Sequence, residues 1–110
     1  MRFKELEYNV IKWANKKDLV KWENSFQQYA KFMEESNEIL VAMNKDRRDI
    51  FSDDITDIRN ELKDALGDTL VTLIILAAQY RLELEDCLEY AYNEIKDRTG
   101  KTVGGTFIKD

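Results

Sequence analysis

Helix breakers are almost missing from this chain. Its 110 residues contain no proline, and the four glycines stand at positions 67, 100, 104 and 105. Proline removes a helix hydrogen bond and glycine costs a helix backbone entropy. A sequence that withholds both until its last residues is expected to be all-α, a helical bundle of about four helices in a single domain. A first helix runs from about Phe3 to Asn15, with Leu6, Val10 and Trp13 at helical spacing. A polar connection follows, with room for one helical turn around Leu19 to Trp22. The second helix begins at Asn24 or Ser25, where Ser25 and Gln28 form a capping-box pattern, and continues to about Asn44. Its expected core stripe is Phe26, Met33 and Leu40, supported by Tyr29, Ala30 and Asn37. The segment KDRRDIFSDD reads as a charged loop, in which Ser52, Asp53 or Asp54 can cap a third helix from about Ile55 to Arg81. A fourth helix, from about Glu85 to Thr99, stops at Gly100, and the tail KTVGGTFIKD is extended or irregular.

The third helix is the unusual one. Its first half is amphipathic, but from Leu70 to Ala78 it is apolar on every side. Such a helix must be surrounded by protein, and three companion helices in so short a chain barely suffice. A partner subunit is therefore expected to cover it, giving a homodimer or homotetramer.

Charge and residue usage exclude several chemistries. A net charge of −5 argues against nucleic acid or an anionic membrane as the main partner. The longest apolar run, Thr69 to Ala78, is about half of a membrane span, and no basic, apolar-cored leader opens the sequence. A soluble, cytoplasmic protein is the expectation. The single cysteine, Cys87, has no internal disulfide partner and reads as a packed, inert thiol. With no histidine, Ser-His and Cys-His nucleophiles and histidine-based zinc sites are ruled out. Any catalysis must use carboxylates, lysine, arginine, tyrosine or a metal. Gly100 to Thr102 spell GKT, but the upstream P-loop glycine is replaced by Ile95 and the tripeptide follows a helix instead of opening one.

The carboxylates remain. Glu35 and Glu38 are three apart, hence neighbours on one face of the second helix, opposite Met33 and Leu40 and alongside Gln28, Lys31 and Ala42. Glu61, Asp64 and Asp68 share a face of the third helix, and that face continues into Val71, Thr72 and Ile75. Two readings are open. Solvated faces of acidic helices are the commoner meaning of such runs. Against that, Asp68 sits where a polar face becomes apolar, and no basic residue lies at i+4 from Glu34, Glu35 or Glu38. Carboxylate pairs on facing helices would form an all-oxygen site for a hard divalent cation, Mg²⁺ or in its place Mn²⁺.

In that order along the chain, QQYAKFMEESNEI, ELKDALGDTLVTLIILA and NEIKDRTGKTVGGTFIKD resemble the motifs of MazG-like nucleotide pyrophosphohydrolases, small all-α nucleoside triphosphate pyrophosphatases often encoded by phages. The resemblance runs from about Val10 to the end. It implies a helical dimer or dimer of dimers. It also implies Mg²⁺-dependent cleavage of a nucleoside triphosphate between its α- and β-phosphates, giving monophosphate and pyrophosphate. Glu35 and Glu38 match the glutamates of the first motif and Asp68 the aspartate of the second. The family's second motif is E-x-x-D, and here Ala65 stands in place of its glutamate. Asp64 or Glu61 is left to supply a fourth ligand. The base that activates water is assigned to Glu35 or Glu38. Lys31, Lys96, Arg98 and Lys101 are candidates for phosphate contacts, each with an equal reading as surface charge, and Trp13 for stacking on a base, with a core role as its alternative. The competing functions are a non-catalytic metal- or partner-binding oligomer, with Ala65 marking a lost site, and a purely structural bundle.

Overall fold

The computed structural model describes residues 1–48 and 55–110, with the side chains of 46–48 and 55–57 outside that description. The proposed caps Ser52, Asp53 and Asp54 fall outside the described residues. Among the described residues four helices form, as the scarcity of breakers implies: α1 (Phe3–Lys16), α2 (Ser25–Arg48), α3 (Ile55–Gln79) and α4 (Leu84–Ile95). One 3-10 turn, Trp22–Asn24, leads into α2. No single helix among the described residues is long and apolar enough to cross a membrane.

Two helix ends are closed by residues other than glycine. After α1, Leu19 N–H donates to Ala14 and Asp18 N–H to Asn15, with Asp18 at φ 61°. After α3, Leu82 N–H donates to Ala77 and Arg81 N–H to Ala78, with Arg81 at φ 59°. Both are Schellman closures, in which a left-handed residue lets the next amides satisfy the last free carbonyls. The chain then turns by 96° into α4.

The start of α4 is capped from a distance. Glu83 makes no cap hydrogen bond; instead the Glu7 carboxylate, 2% exposed, accepts the main-chain N–H groups of Leu84 and Glu85. One buried carboxylate thus ties α1 to the positive end of α4.

The tail is extended, as its sequence suggested, and it is ordered as a hairpin, while the end of the helix before it needs correcting. Helix α4 ends at Ile95, a turn earlier than expected, and β1 (Gly100–Val103) pairs antiparallel with β2 (Thr106–Lys109). Gly104 and Gly105 have φ of 58° and 82°, the two left-handed positions that a two-residue hairpin turn needs. A Cβ at Gly100 would strike the Ile108 main-chain oxygen and the Phe107 ring, so the strand can start only at a glycine.

The core is also different from the one expected. The dominant packing is α2 against α3, with α1 and α4 laid beside it. Among the described residues the buried apolar ones are Ala14, Ala42, Ala65, Ile74 and Ile75, and no large side chain is fully enclosed. The proposed stripe Phe26, Met33 and Leu40 is 85%, 54% and 53% exposed, and Leu6 and Trp13 of α1 are half exposed. The second helix turns its carboxylate face, with Gln28 and Ala42, toward α3. Its large apolar side chains lie elsewhere because alanine, not bulk, lets two helices approach closely enough to interlock. Ser25 and Gln28 do not act as a capping pair. Their side chains bond across to α3, Ser25 Oγ to the Tyr80 hydroxyl at 2.9 Å and Gln28 Nε2 to the Thr72 carbonyl at 3.1 Å.

Candidate functional site

Turning the polar face of α2 inward sets its carboxylates opposite those of α3. Glu35, Glu38, Glu61, Asp64 and Asp68 all line one cavity of about 260 Å³, floored by Ala42 and Ala65. Helical spacing places each set on its own face, and antiparallel packing of α2 on α3 brings the two faces together. All five acids picked from spacing and resemblance are in this one cleft. A larger concavity of about 750 Å³ runs along Leu62, Leu66 and Leu70 with Arg59, Asn60 and Lys63, but all of its lining comes from α3 and none of it is a carboxylate.

The charges are partly compensated. The Lys31 ammonium lies 3.2 Å from Glu35 and 3.5 Å from Glu34, so the cation comes from one turn before the glutamates instead of after them. Those neighbours raise the Lys31 pKa, the hydrogen bond to Glu35 most of all. Lys45, assigned to a loop from sequence, extends α2 and pairs with Glu61 at 3.2 Å. Glu38, Asp64 and Asp68 make no salt bridge among the described residues. The Asp68 pKa is raised, first by desolvation, then by the charges of Asp64 and Glu35, with Lys31 acting against them. The side chain still meets solvent. Among the described residues, no three acidic side chains converge tightly enough to cage an ion as they stand. The donor set is nevertheless carboxylate oxygen throughout, the chemistry a hard divalent cation prefers.

A second cavity, of about 390 Å³, shares Glu35 and Asp68 with the first and adds Lys31, Gln28 and Trp13 against an apolar wall. Two of the residues singled out for substrate contact, Lys31 and Trp13, thus stand beside the acids. Lys96, Arg98 and Lys101 lie past α4 and on the hairpin, and line neither cavity. Sequence reasoning missed Lys45, although it lies seven residues after Glu38 on the same helical face.

The chain is 29% identical over 79 residues to an uncharacterized 18.2 kDa protein in the rep-hol intergenic region of Haemophilus phage HP1 (strain HP1c1). That match covers 72% of this chain and 42% of the phage protein, so the chain spans less than half of its relative's length. No solved structure matches. A family model described as phosphoribosyl-ATP pyrophosphohydrolase matches residues 11–94, a span that holds every residue of both cavities. The chain belongs to the phosphoribosyl-ATP pyrophosphohydrolase family, an all-α family of pyrophosphohydrolases related to the MazG-like group.

Proposed function

We propose that the chain is a MazG-like, Mg²⁺-dependent nucleoside triphosphate pyrophosphohydrolase. The observation that carries this reading is the convergence of Glu35 and Glu38 with Asp64 and Asp68 on one cleft that opens into the Trp13 cavity. Glu35, Glu38, Asp64 and Asp68 would hold the metal, with Glu61 withdrawn toward Lys45. A divalent cation held there, Mg²⁺ or Mn²⁺, would supply positive charge against the polyphosphate. Glu35 or Glu38 takes a proton from the attacking water as its oxygen bonds to the α-phosphorus. The bond from that phosphorus to the α,β-bridging oxygen breaks, releasing pyrophosphate and leaving the nucleoside monophosphate. Lys31, already beside Glu35, is the side chain nearest to hand for a phosphate oxygen. Trp13 offers a ring face to the base.

The reading extends to assembly. The exposed apolar residues of α2 and α3 are taken to be the surface on which a second copy packs, as a homodimer or homotetramer in the cytoplasm.

One panel tests the activity: common NTPs and dNTPs, and phosphoribosyl-ATP, each with Mg²⁺ and read out as pyrophosphate. Metal-dependent release from triphosphates is the expected result, and Mg²⁺ should raise the melting temperature by mass action on the folded state. Glu38→Gln should abolish both. Turnover of phosphoribosyl-ATP alone would replace the substrate class. Metal binding without any turnover would favour the non-catalytic alternative, for which the buried Ala65 in the cleft is the specific motive.

A further inference from the structure

The two cavities adjoin, and their far ends are unlike. They meet at Glu35 and Asp68, which line both. To one side lie the apolar side chains of Leu19, Val71 and Ile75 with the Trp13 ring, and the cation there is Lys31. To the other side lie Glu38, Glu61 and Asp64, and the cation there is Lys45. Among the described residues no other lysine or arginine lines either cavity. Lys31, Glu35, Glu38, Ala42 and Lys45 follow one another on α2 at steps of four, three, four and three, so they form one line along the helix. Lys45 is held lightly. Its partner is Glu61 at 3.2 Å, and the two side chains are 46% and 48% exposed, a pair open enough to water to contribute little to stability. The buried Ala42 and Ala65 and the bond from Gln28 to Thr72 join α2 to α3 without it. An ammonium so placed can leave a carboxylate for a phosphate, which carries more charge and more acceptor oxygens. Lys31 is less free, because Glu34 and Glu35 both hold it.

We propose that Lys45 exchanges Glu61 for the terminal phosphate of a nucleoside triphosphate and so fixes which way the substrate lies. The base rests against Trp13, the α-phosphate stands at the carboxylates, and the β- and γ-phosphates run toward Lys45. The inference rests on the reading of the chain as a nucleoside triphosphate pyrophosphohydrolase. Length supports it. Lys45 stands seven residues past Glu38, roughly 10 Å along the helix axis, a gap that two further phosphates and a lysine side chain can bridge. The two surfaces support it as well. A substrate lying the other way would set its polyphosphate along Leu19, Val71 and Ile75 and its base among the acids, so each half would meet the surface that solvates it worse. In the proposed direction pyrophosphate leaves past Lys45, at the solvent-exposed end of the cleft.

Calorimetric titration of the intact protein in Mg²⁺, with pyrophosphate and separately with dCMP, dTMP, dAMP and dGMP, reads the two ends of the site without relying on turnover. Lys45→Met should weaken pyrophosphate binding about tenfold or more, the effect of losing a hydrogen bond between charged groups, and leave monophosphate binding as it was. Lys45→Arg, which restores the charge, should keep most of the pyrophosphate affinity. Lys45 is exposed, so these variants should fold, and Lys45→Gln stands in for Lys45→Met if that one does not. For triphosphate hydrolysis, kcat/KM should fall by a similar factor at an unchanged melting temperature. A purely structural lysine would weaken both ligands together, and that result overturns the inference, as does pyrophosphate affinity equal to wild type. Triphosphate hydrolysis with equal kcat/KM in wild type and Lys45→Met also overturns it and leaves the enzymatic reading standing. A wild-type protein that binds none of these ligands and hydrolyses no triphosphate sinks both.

Discussion

Glu61 and Asp64 stand one turn apart on α3 and line the same cleft, yet only Glu61 has a cation on it, Lys45 at 3.2 Å. Asp64 instead raises the pKa of Asp68, its neighbour at the next turn. Asp64 is thus, among the described residues, a carboxylate without a salt bridge, beside the position where the MazG-like motif has glutamate and this chain has Ala65. Asp64→Asn should lower Mg²⁺-dependent turnover at least about tenfold, as expected for a lost ligand or ligand neighbour, and Glu61→Gln much less. Both are to be measured at saturating nucleotide across an Mg²⁺ titration, and the reverse order would reassign the ligand. Asp68 carries a pH prediction. Its native pKa lies above the unfolded value, so the native state holds that proton more tightly. This group therefore favours folding as pH falls through the carboxylate range and opposes it as pH rises. Metal-free Asp68→Asn should melt higher than wild type at neutral pH, and the gap should close toward acid pH. A variant that melts lower at neutral pH would show that the carboxylate is structural. The sharing of faces by these acids was legible from helical spacing. The pairing of Glu61 was not, because Lys45 and Glu61 belong to different helices.

At the scale of elements, the expected helices exist, and what spacing missed are their ends and inward faces. The ends of α1 and α3 were hidden because Asp18 and Arg81 occupy positions where glycine is the usual signal. An L-residue in the left-handed region costs about 1–2 kcal/mol, against about 0.5–1 kcal/mol for the extra unfolded-state freedom of glycine. Arg81→Gly should therefore stabilise the protein by roughly 0.5–1 kcal/mol, read as a shift in denaturant midpoint at unchanged m. Destabilisation would mean that the Arg81 side chain holds the turn. The inward face of α2 was misread for a related reason. Spacing finds an apolar stripe such as Phe26, Met33 and Leu40 but cannot say whether it meets the same chain, and here the chain's own partner, α3, takes the face with Gln28 and Ala42. Likewise no local spacing singles out Glu7, which caps α4 from 77 residues away.

The whole molecule is open for its length. Its radius of gyration is 16.9 Å, where a compact domain of this size would have about 13 Å. Apolar side chains account for much of what is left uncovered, including Phe26, Met33 and Leu40 on α2 and Leu66 and Leu70 on α3. A groove of about 540 Å³ joins Phe26 and Tyr29 to Leu73 and Ala77. The all-round apolar half of α3 pointed to this from sequence; which residues would remain bare required knowing that α2 spends its alanine face on α3. Light scattering should find a dimer or tetramer, and Phe26→Lys with Leu70→Lys should shift it toward monomer. A wild-type monomer at micromolar concentration would refute this assembly. The alanine seam of α2 and α3 carries a last consequence. Among the described residues, a core whose buried apolar members are three alanines and two isoleucines leaves little of the hydrophobic effect inside one chain. Folding and association should then be one reaction, so that the refolding rate depends on concentration and activity per chain fades as the protein is diluted.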